Sequence, residues 1–329
     1  MLSRTADGLF WLARYMERAE NVARILTAGQ RIASLSRSVG SESNEWESTL
    51  VAAGCGESYR EKRGEVTPGG VVDFLVRDPS NPSSVLSCLE TARRNARAVR
   101  TALTADMWES LNDTWLELRA FESFEGASAE RIARLLEWVK GRSLLFHGAY
   151  ANTMLRNDAF YFTQLGTFLE RADNTARILD VKYHVLLPQS ERVGGPLDYC
   201  QWESILRAVS ALRAYRWVYH ARLAPWMIAD LLILRPEMPR SLCACYAQIV
   251  RHLELLTEAY GGRRGECHRR AGEIHARLRY GRIDSIMQSG LHEFLTEIVD
   301  DTIALGRDVG EFYLGGYWIE STHDSSWNQ

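Results

Sequence analysis

Lysine is the scarcest of the charged residue types in this 329-residue sequence. Arginine supplies nearly all of the positive charge, because Lys62, Lys140 and Lys182 are the only lysines. Arginine stays protonated and holds carboxylates or phosphates with a planar fork, whereas lysine can lose its proton and act as a base or nucleophile. We therefore expect arginine to position an anion here rather than to perform a chemical step. The nucleotide composition of the genome explains the same bias equally well.

The net charge and the spacing of cysteine and histidine exclude further classes of protein. A formal charge of −3 is not the strongly basic footprint of a nucleic-acid-binding protein, so we expect no nucleic-acid partner. None of the six cysteines forms a C-x-x-C pair, which predicts reduced and mostly buried thiols. The eight histidines include no H-E-x-x-H pair. We predict no metal and no cofactor.

Long apolar runs are also missing. The longest, Leu223–Leu234, has twelve residues and contains Pro225 and Asp230, whereas a bilayer-spanning helix takes about 20 residues. Charged residues interrupt the first fifteen positions, which is unlike the apolar centre of a secretory signal. We expect a cytoplasmic chain with no membrane span.

Apolar residues recur every three or four positions between the prolines, which predicts an all-α fold. Loops are expected at 34–43 and 54–70, and a frayed polar tail at 321–329. The predicted helices cover 9–30, 44–53, 82–104, 127–140, 158–187, 197–223, 240–260, 267–280 and 290–312.

Four sequence blocks of the first half recur in the same order in the second half, 153 to 157 residues later. The clearest pair is ERAENVARIL, beginning at Glu17, and ERADNTARIL, beginning at Glu170. The other pairs begin at Trp46 and Trp202, at Tyr59 and Tyr215, and at Pro82 and Pro239. This collinearity predicts a multi-helix bundle of two diverged, tandemly duplicated units, 1–157 and 158–320, packed together as one domain.

The repeated ERA blocks place charge inside apolar surroundings. On a helix that turns about 100° per residue, Arg18 falls within the apolar arc of the first block, and Arg171 does so in the second. A guanidinium withdrawn from water without a partner costs several kcal/mol. Each of these arginines must therefore meet a carboxylate or a bound anion.

Two interpretations of this pattern remain open. In the first, the guanidiniums belong to buried ion-pair networks, answered by Glu47 and Glu203 of the Trp-Glu-Ser blocks or by the glutamates of the Glu-Arg pairs themselves. In the second, a cleft between the halves holds a carboxylate or phosphate. The candidate binding residues of that cleft are Glu17, Arg18, Asn21, Arg24, Glu170, Arg171, Asn174 and Arg177, with Glu47 and Glu203 as supporting carboxylates. No catalytic residue is assigned.

The opening run MLSRTADGLFWLARYMERAEN, together with LGTFLERAD from Leu165, resembles the bacterial alpha-E family, which is named for its helices and its Glu-Arg motif. The resemblance covers nearly the whole chain and implies an all-helical fold. Genes of this family commonly accompany a circularly permuted ATP-grasp ligase and a transglutaminase-like cysteine peptidase. The resemblance therefore implies a cytoplasmic system that makes or modifies an amide or peptide bond.

Two hypotheses for function follow from this resemblance. The first is an accessory or substrate-binding subunit that works with an ATP-grasp amide or peptide ligase in peptide or amino-acid modification. ATP would belong to that ligase, and the transglutaminase-like peptidase is a second candidate partner. The alternative is an enzyme that acts on a carboxylated or phosphorylated intermediate in a cleft lined by the paired Glu-Arg motifs. Motif carboxylates that open into a cavity favour the enzyme, whereas motifs sealed in a dry core favour a structural role.

Overall fold

The computed structural model describes residues 1–38, 45–121, 127–184 and 195–315. Within these ranges the regular elements are helices and no strand occurs, as the apolar periodicity predicts. The polar tail predicted at 321–329 lies outside the described residues. The helices are α1 Ser3–Ser38, α2 Glu45–Ala52, α3 Gly56–Arg63, α4 Pro68–Val76, α5 Val85–Ala98, α6 Ala105–Arg119, α7 Ala129–Thr153, α8 Asp158–His184, α9 Pro196–Ala208, α10 Leu212–Tyr219, α11 Pro225–Ile233, α12 Leu242–Ala259, α13 Glu266–Arg279, α14 Ile283–Ser289 and α15 Leu291–Tyr313.

The loop predicted at 54–70 is wrong, because α3 occupies its centre and α4 begins within it. Gly64 follows α3 with a φ of 73° and turns the chain towards α4. The Thr67 hydroxyl caps α4 by accepting a hydrogen bond from the Gly70 amide, and Pro68 fills the first helical position. Glycine and proline therefore delimit two short helices here rather than a loop.

The helix predicted at 197–223 is two helices, α9 and α10. Ser210, with a φ of 59°, lies between them, and His220, with a φ of 48°, ends α10. Neither residue is glycine or proline, so their types do not signal the breaks. The prediction also omits α6, whose buried residues Met107 and Leu111 recur at helical spacing.

The two longest helices, α1 and α8, run side by side in the same direction through the centre of the protein. The amino group of Met1 lies 3.0 Å from the Asp158 carboxylate at one end. Further along, a Cβ added to Gly166 would lie 2.2 Å from the carbonyl oxygen of Phe10. Only glycine therefore allows the two backbones to approach as closely as they do at this point.

The remaining helices surround this central pair in two similar sets. Helices α5, α7 and α9 pack against α1, and α12, α15 and α2 pack against α8. The helix that follows each central helix therefore also packs against the other one. The buried apolar residues from both halves of the chain form one continuous core. None of the helices in the described ranges has the length and apolarity needed to cross a bilayer.

All six cysteines fall within the described ranges, and each is a free thiol. Five are buried, and Cys200 on α9 is partly exposed. The prediction that most of the thiols are buried is confirmed.

Candidate functional site

The two Glu-Arg pairs meet across the contact between α1 and α8 and bind each other reciprocally. Arg18 donates from Nε and Nη2 to the two carboxylate oxygens of Glu170, at 2.5 and 3.1 Å. Arg171 donates in the same way to Glu17, at 2.9 and 2.8 Å. Such two-pronged pairs are the strongest form of charged hydrogen bonding between side chains. The motifs therefore join the two central helices to each other.

A second guanidinium completes the surroundings of Glu170. Arg14, one turn before Arg18 on α1, donates from Nε to Glu170 at 2.9 Å and stacks on the ring of Trp11 at 4.6 Å. Glu170 and Arg18 are each 3% exposed. Burial alone would raise the pKa of Glu170, but Arg18 and Arg14 outweigh it and hold that pKa below its usual value. The carboxylate is therefore ionised and enclosed by cations.

Glu17 also binds a second arginine, which lies 223 residues further along the sequence. Arg240, just before α12, donates to Glu17 at 3.0 Å and also to Glu20. Its backbone is anchored where the Thr175 hydroxyl donates to the Arg240 carbonyl, at 2.8 Å. Burial would raise the pKa of Glu17, but Arg171 and Arg240 hold it far below its usual range. Glu17 is fully buried and ionised.

Glu20 and two residues of α7 extend the cluster around Glu17. Arg24 donates to Glu20 at 2.7 Å, and the Ser143 hydroxyl donates to the other oxygen of Glu20 at 2.6 Å. His147 places Nε2 3.3 Å from a carboxylate oxygen of Glu17. Burial lowers the pKa of His147 despite the nearby carboxylates. The imidazole is therefore favoured in its neutral form.

Glu17, Glu20 and His147 offer three ligand atoms within 4.8 Å of one another, which is the donor set of a metal site. Their neighbours argue against that use. Both carboxylates are already bound by guanidiniums, and Arg240 contacts both of them. A divalent cation would have to displace arginines and then sit among their charges. The geometry favours an ion-pair network at this position.

The other predicted site residues of the two ERA blocks are Asn21, Arg24, Asn174 and Arg177, and their contacts differ. Arg24 donates to the Ala208 carbonyl at 2.5 Å in addition to Glu20, and Arg177 forms a two-pronged pair with Asp173 at 2.8 and 3.1 Å. Asn21 is 2% exposed, and within the described residues neither of its amide atoms has a hydrogen-bond partner. The side-chain oxygen of Asn174 also lacks a hydrogen-bond partner among the described residues.

The structure does not bring the two proposed supporting carboxylates to the network. Glu47 pairs with Arg60 near the surface, and Glu203 pairs with Arg207 at 2.6 Å. The tryptophan before each glutamate packs on the core, and successive helical positions differ by about 100°, which directs the glutamates away from it. The buried arginines are answered instead by the glutamates of the motifs themselves.

The motif carboxylates do not open into three clefts found in the described part of the structure. One cleft of about 560 Å³ lies between α2, α8 and α15, another of about 760 Å³ between α1, α7 and α9, and a third of about 670 Å³ beside α11 and α14. Of the predicted site residues, Arg177 borders the first cleft and Glu203 the second. The Glu-Arg motifs border none of these three, which favours the structural interpretation.

Sequence reasoning missed five members of the network: Arg14, Glu20, Ser143, His147 and Arg240. One of them carried a signal, because Arg240 stands in the repeated proline block where the first copy has Ser83. A charge present in only one copy of a repeat indicates a position at which the two copies make different contacts. No pattern around Ser143 or His147 distinguishes them from ordinary helix residues.

The network predicts that stability declines in acid. The folded state lowers the pKa of His147 below its ordinary 6.5, and lowers the pKa values of Glu17, Glu20 and Glu170 below their ordinary 4.5. The unfolded chain then binds more protons as the pH falls, so the free energy of unfolding decreases with falling pH. Urea denaturation between pH 7.5 and about pH 4 measures this decrease.

Two pH windows separate the contributions. Loss that begins near pH 6.5 belongs to His147 together with His252, His268 and His275, whose pKa values burial also lowers, so it should shrink but not vanish in a His147→Gln variant. The additional loss that begins below about pH 5 belongs to the carboxylates and should persist in that variant. An unfolding free energy that stays level or rises between pH 7 and pH 4 would contradict the assignment.

Residues 1–314 match the Alpha-E family, described as "a predicted alpha-helical domain with a conserved ER motif". The resemblance inferred from the Glu-Arg blocks is thereby confirmed. The chain is also similar to a protein of Mycobacterium bovis and to two of Mycobacterium tuberculosis, each described as uncharacterized. Each is 26% identical over 336 aligned positions, which cover 94% of this chain and 36% of the relative. The chain thus spans about a third of the length of these curated relatives. No solved structure matches it.

Proposed function

The chain belongs to the Alpha-E family, and from that membership we propose that it is a cytoplasmic accessory or substrate-binding subunit of an ATP-grasp amide or peptide ligase. It works in peptide or amino-acid modification, and the ligase supplies the ATP site. The transglutaminase-like peptidase that the family resemblance implies is a second candidate partner.

The observation that carries this proposal is the saturation of the Glu-Arg motifs. Glu17 and Glu170 are 0% and 3% exposed, and two guanidiniums bind each of them. A general base or nucleophile has to reach its substrate within hydrogen-bonding distance. Carboxylates held by arginines in a closed interface do not meet that condition, which supports a structural role for the motifs over the alternative of an enzyme with its reaction in the motif cleft.

We also propose that the two halves arose by tandem duplication, with units at 1–157 and 158–320. The collinear blocks are supported by the packing, since the helices around α1 and those around α8 follow the same pattern of order and contact. The reciprocal Glu-Arg pairs are what two equivalent helices in parallel register would form. The two units then form one domain, because the second helix of each unit also packs against the central helix of the other unit.

Co-expression with the ATP-grasp ligase, followed by size-exclusion chromatography with and without ATP, tests the proposal. We expect the two proteins to elute together, with a dissociation constant in the micromolar range or tighter by titration. The matched control is an unrelated ATP-grasp enzyme, which should elute separately. If the ligase and this chain remain separate under both conditions, the accessory role is wrong.

A further inference from the structure

The exposed side of α10 carries an unusual set of side chains. Arg213, Arg216, Trp217 and His220 occupy positions i, i+3, i+4 and i+7, so they follow one side of the helix, and we call them the α10 stripe. All four are exposed, and Trp217 is 80% exposed. The rings of Trp217 and His220 lie 6.5 Å apart. The opposite side of α10 is buried through Leu212 and Tyr215.

The charges of the α10 stripe are not compensated within the described structure. Neither Arg213 nor Arg216 forms an ion pair there, and Arg222, just beyond the helix, forms none either. Residues 209–229 contain no aspartate or glutamate. The stripe is therefore a locally positive, aromatic surface on a chain whose formal charge is −3.

Helix α3 provides a comparison, because its Tyr59-Arg60 pair matches the Tyr215-Arg216 pair of α10 in the repeated blocks. In α3 the charges are paired, since Arg60 binds Glu47, and Arg63 binds Asp78 at 2.6 Å. Glu57 and Glu61 stand at the positions that Arg213 and Trp217 occupy in α10. One of two corresponding helices is therefore neutralised, and the other presents arginine and tryptophan to solvent.

The C-terminal residue of the stripe, His220, also differs from its counterpart in α3, Gly64. Gly64 ends α3 with a φ of 73°, a conformation that suits glycine. His220 ends α10 with a φ of 48°, which a side chain with a Cβ rarely adopts. The exposed imidazole of His220 therefore lies beside Trp217, at a position where α3 has a glycine without a side chain.

We propose that the α10 stripe is a docking surface for an acidic patch of the ATP-grasp ligase. This inference rests on the proposed function and locates its interface. Arginine and tryptophan are the side chains that most often dominate protein interfaces, and uncompensated arginines select an acidic partner through charge complementarity. The stripe is one side of a short convex helix, which is smaller than the broad basic surface typical of nucleic-acid binding.

The test measures binding of the purified ligase to the full chain by titration calorimetry at low and high salt. Charge reversal in Arg213→Glu/Arg216→Glu should weaken binding by at least roughly 30-fold, and Trp217→Ala by roughly 10-fold or more. Wild-type affinity should fall as salt rises, because the contact is electrostatic. A matched control is Arg94→Glu/Arg97→Glu on α5, which reverses two exposed arginines at the same i, i+3 spacing and should change affinity less than about twofold.

The outcomes separate the inference from the proposed function. If wild type and both double variants bind the ligase equally, the α10 stripe is not the interface, although the accessory role stands. If wild type does not bind the ligase at all, the accessory role and this partner are both wrong. A fluorescent single-stranded RNA provides a further arm. Tight RNA binding by wild type that is lost only in the stripe variant would overturn the assignment to an acidic protein.

Discussion

Replacing Arg18 by methionine is expected to lower the free energy of unfolding by about 3–5 kcal/mol. The reason is that Arg18 gives Glu170 two hydrogen bonds in an interface where both residues are 3% exposed. Without it, a buried carboxylate keeps one guanidinium, that of Arg14. Methionine fills similar space, so the change reports mainly the lost charge. Urea denaturation at pH 7 measures the loss.

Two further variants control this result. Arg207→Met removes one partner of an exposed pair with Glu203, and should cost less than about 1 kcal/mol. Adding Glu170→Gln to Arg18→Met removes the stranded charge, so the double variant should lose less than the sum of the two single losses. If Arg18→Met costs no more than Arg207→Met, the interface is not the closed one described above.

The helical wheel was sufficient to place Arg18 and Arg171 in apolar surroundings, because that argument needs only the period of an α-helix. It could not choose their partners. From the sequence alone, Glu47 is as plausible a partner for Arg18 as Glu170 is. The choice between them depends on α1 and α8 lying parallel, with their equivalent positions side by side. That register is a tertiary property, set partly by the close approach at Gly166.

Other members of the network were beyond sequence reasoning for a related reason. His147 reaches Glu17 because α7 packs on α1, and nothing local to α7 records that neighbour. The short helix α3 was hidden because glycines around it suggested a loop, although glycine also ends helices. The break between α9 and α10 was not predicted, because Ser210 has a positive φ there and serine is not a residue type that signals such a conformation.

The two motif carboxylates have equivalent first partners, Arg171 for Glu17 and Arg18 for Glu170, but their second partners come from different places. Glu170 is completed by Arg14 from the facing helix α1, whereas Glu17 is completed by Arg240, far away in the sequence. Arg240 also binds Glu20, so the Glu17 side connects α1, α8 and the start of α12, and the Glu170 side connects two helices. Disturbing Glu17 should therefore affect more of the fold than disturbing Glu170.

Glu17→Gln is accordingly expected to lower the free energy of unfolding by about 3–5 kcal/mol, at the upper end of that range. Glutamine keeps the shape but leaves Arg171 and Arg240 without the charge that both of them bind. The matched control is Glu203→Gln, whose carboxylate holds one exposed arginine and whose loss should stay below about 1 kcal/mol.

The same variant separates the structural role of the motif from a catalytic one. At a temperature where Glu17→Gln is still folded by circular dichroism, a structural motif leaves ligase binding and product formation near wild-type values, since the α10 stripe and the ligase active site are intact. A catalytic motif gives the reverse, with product formation lost while the folded fraction is unchanged. Because Glu17 is fully buried and held by two guanidiniums, we expect the first result.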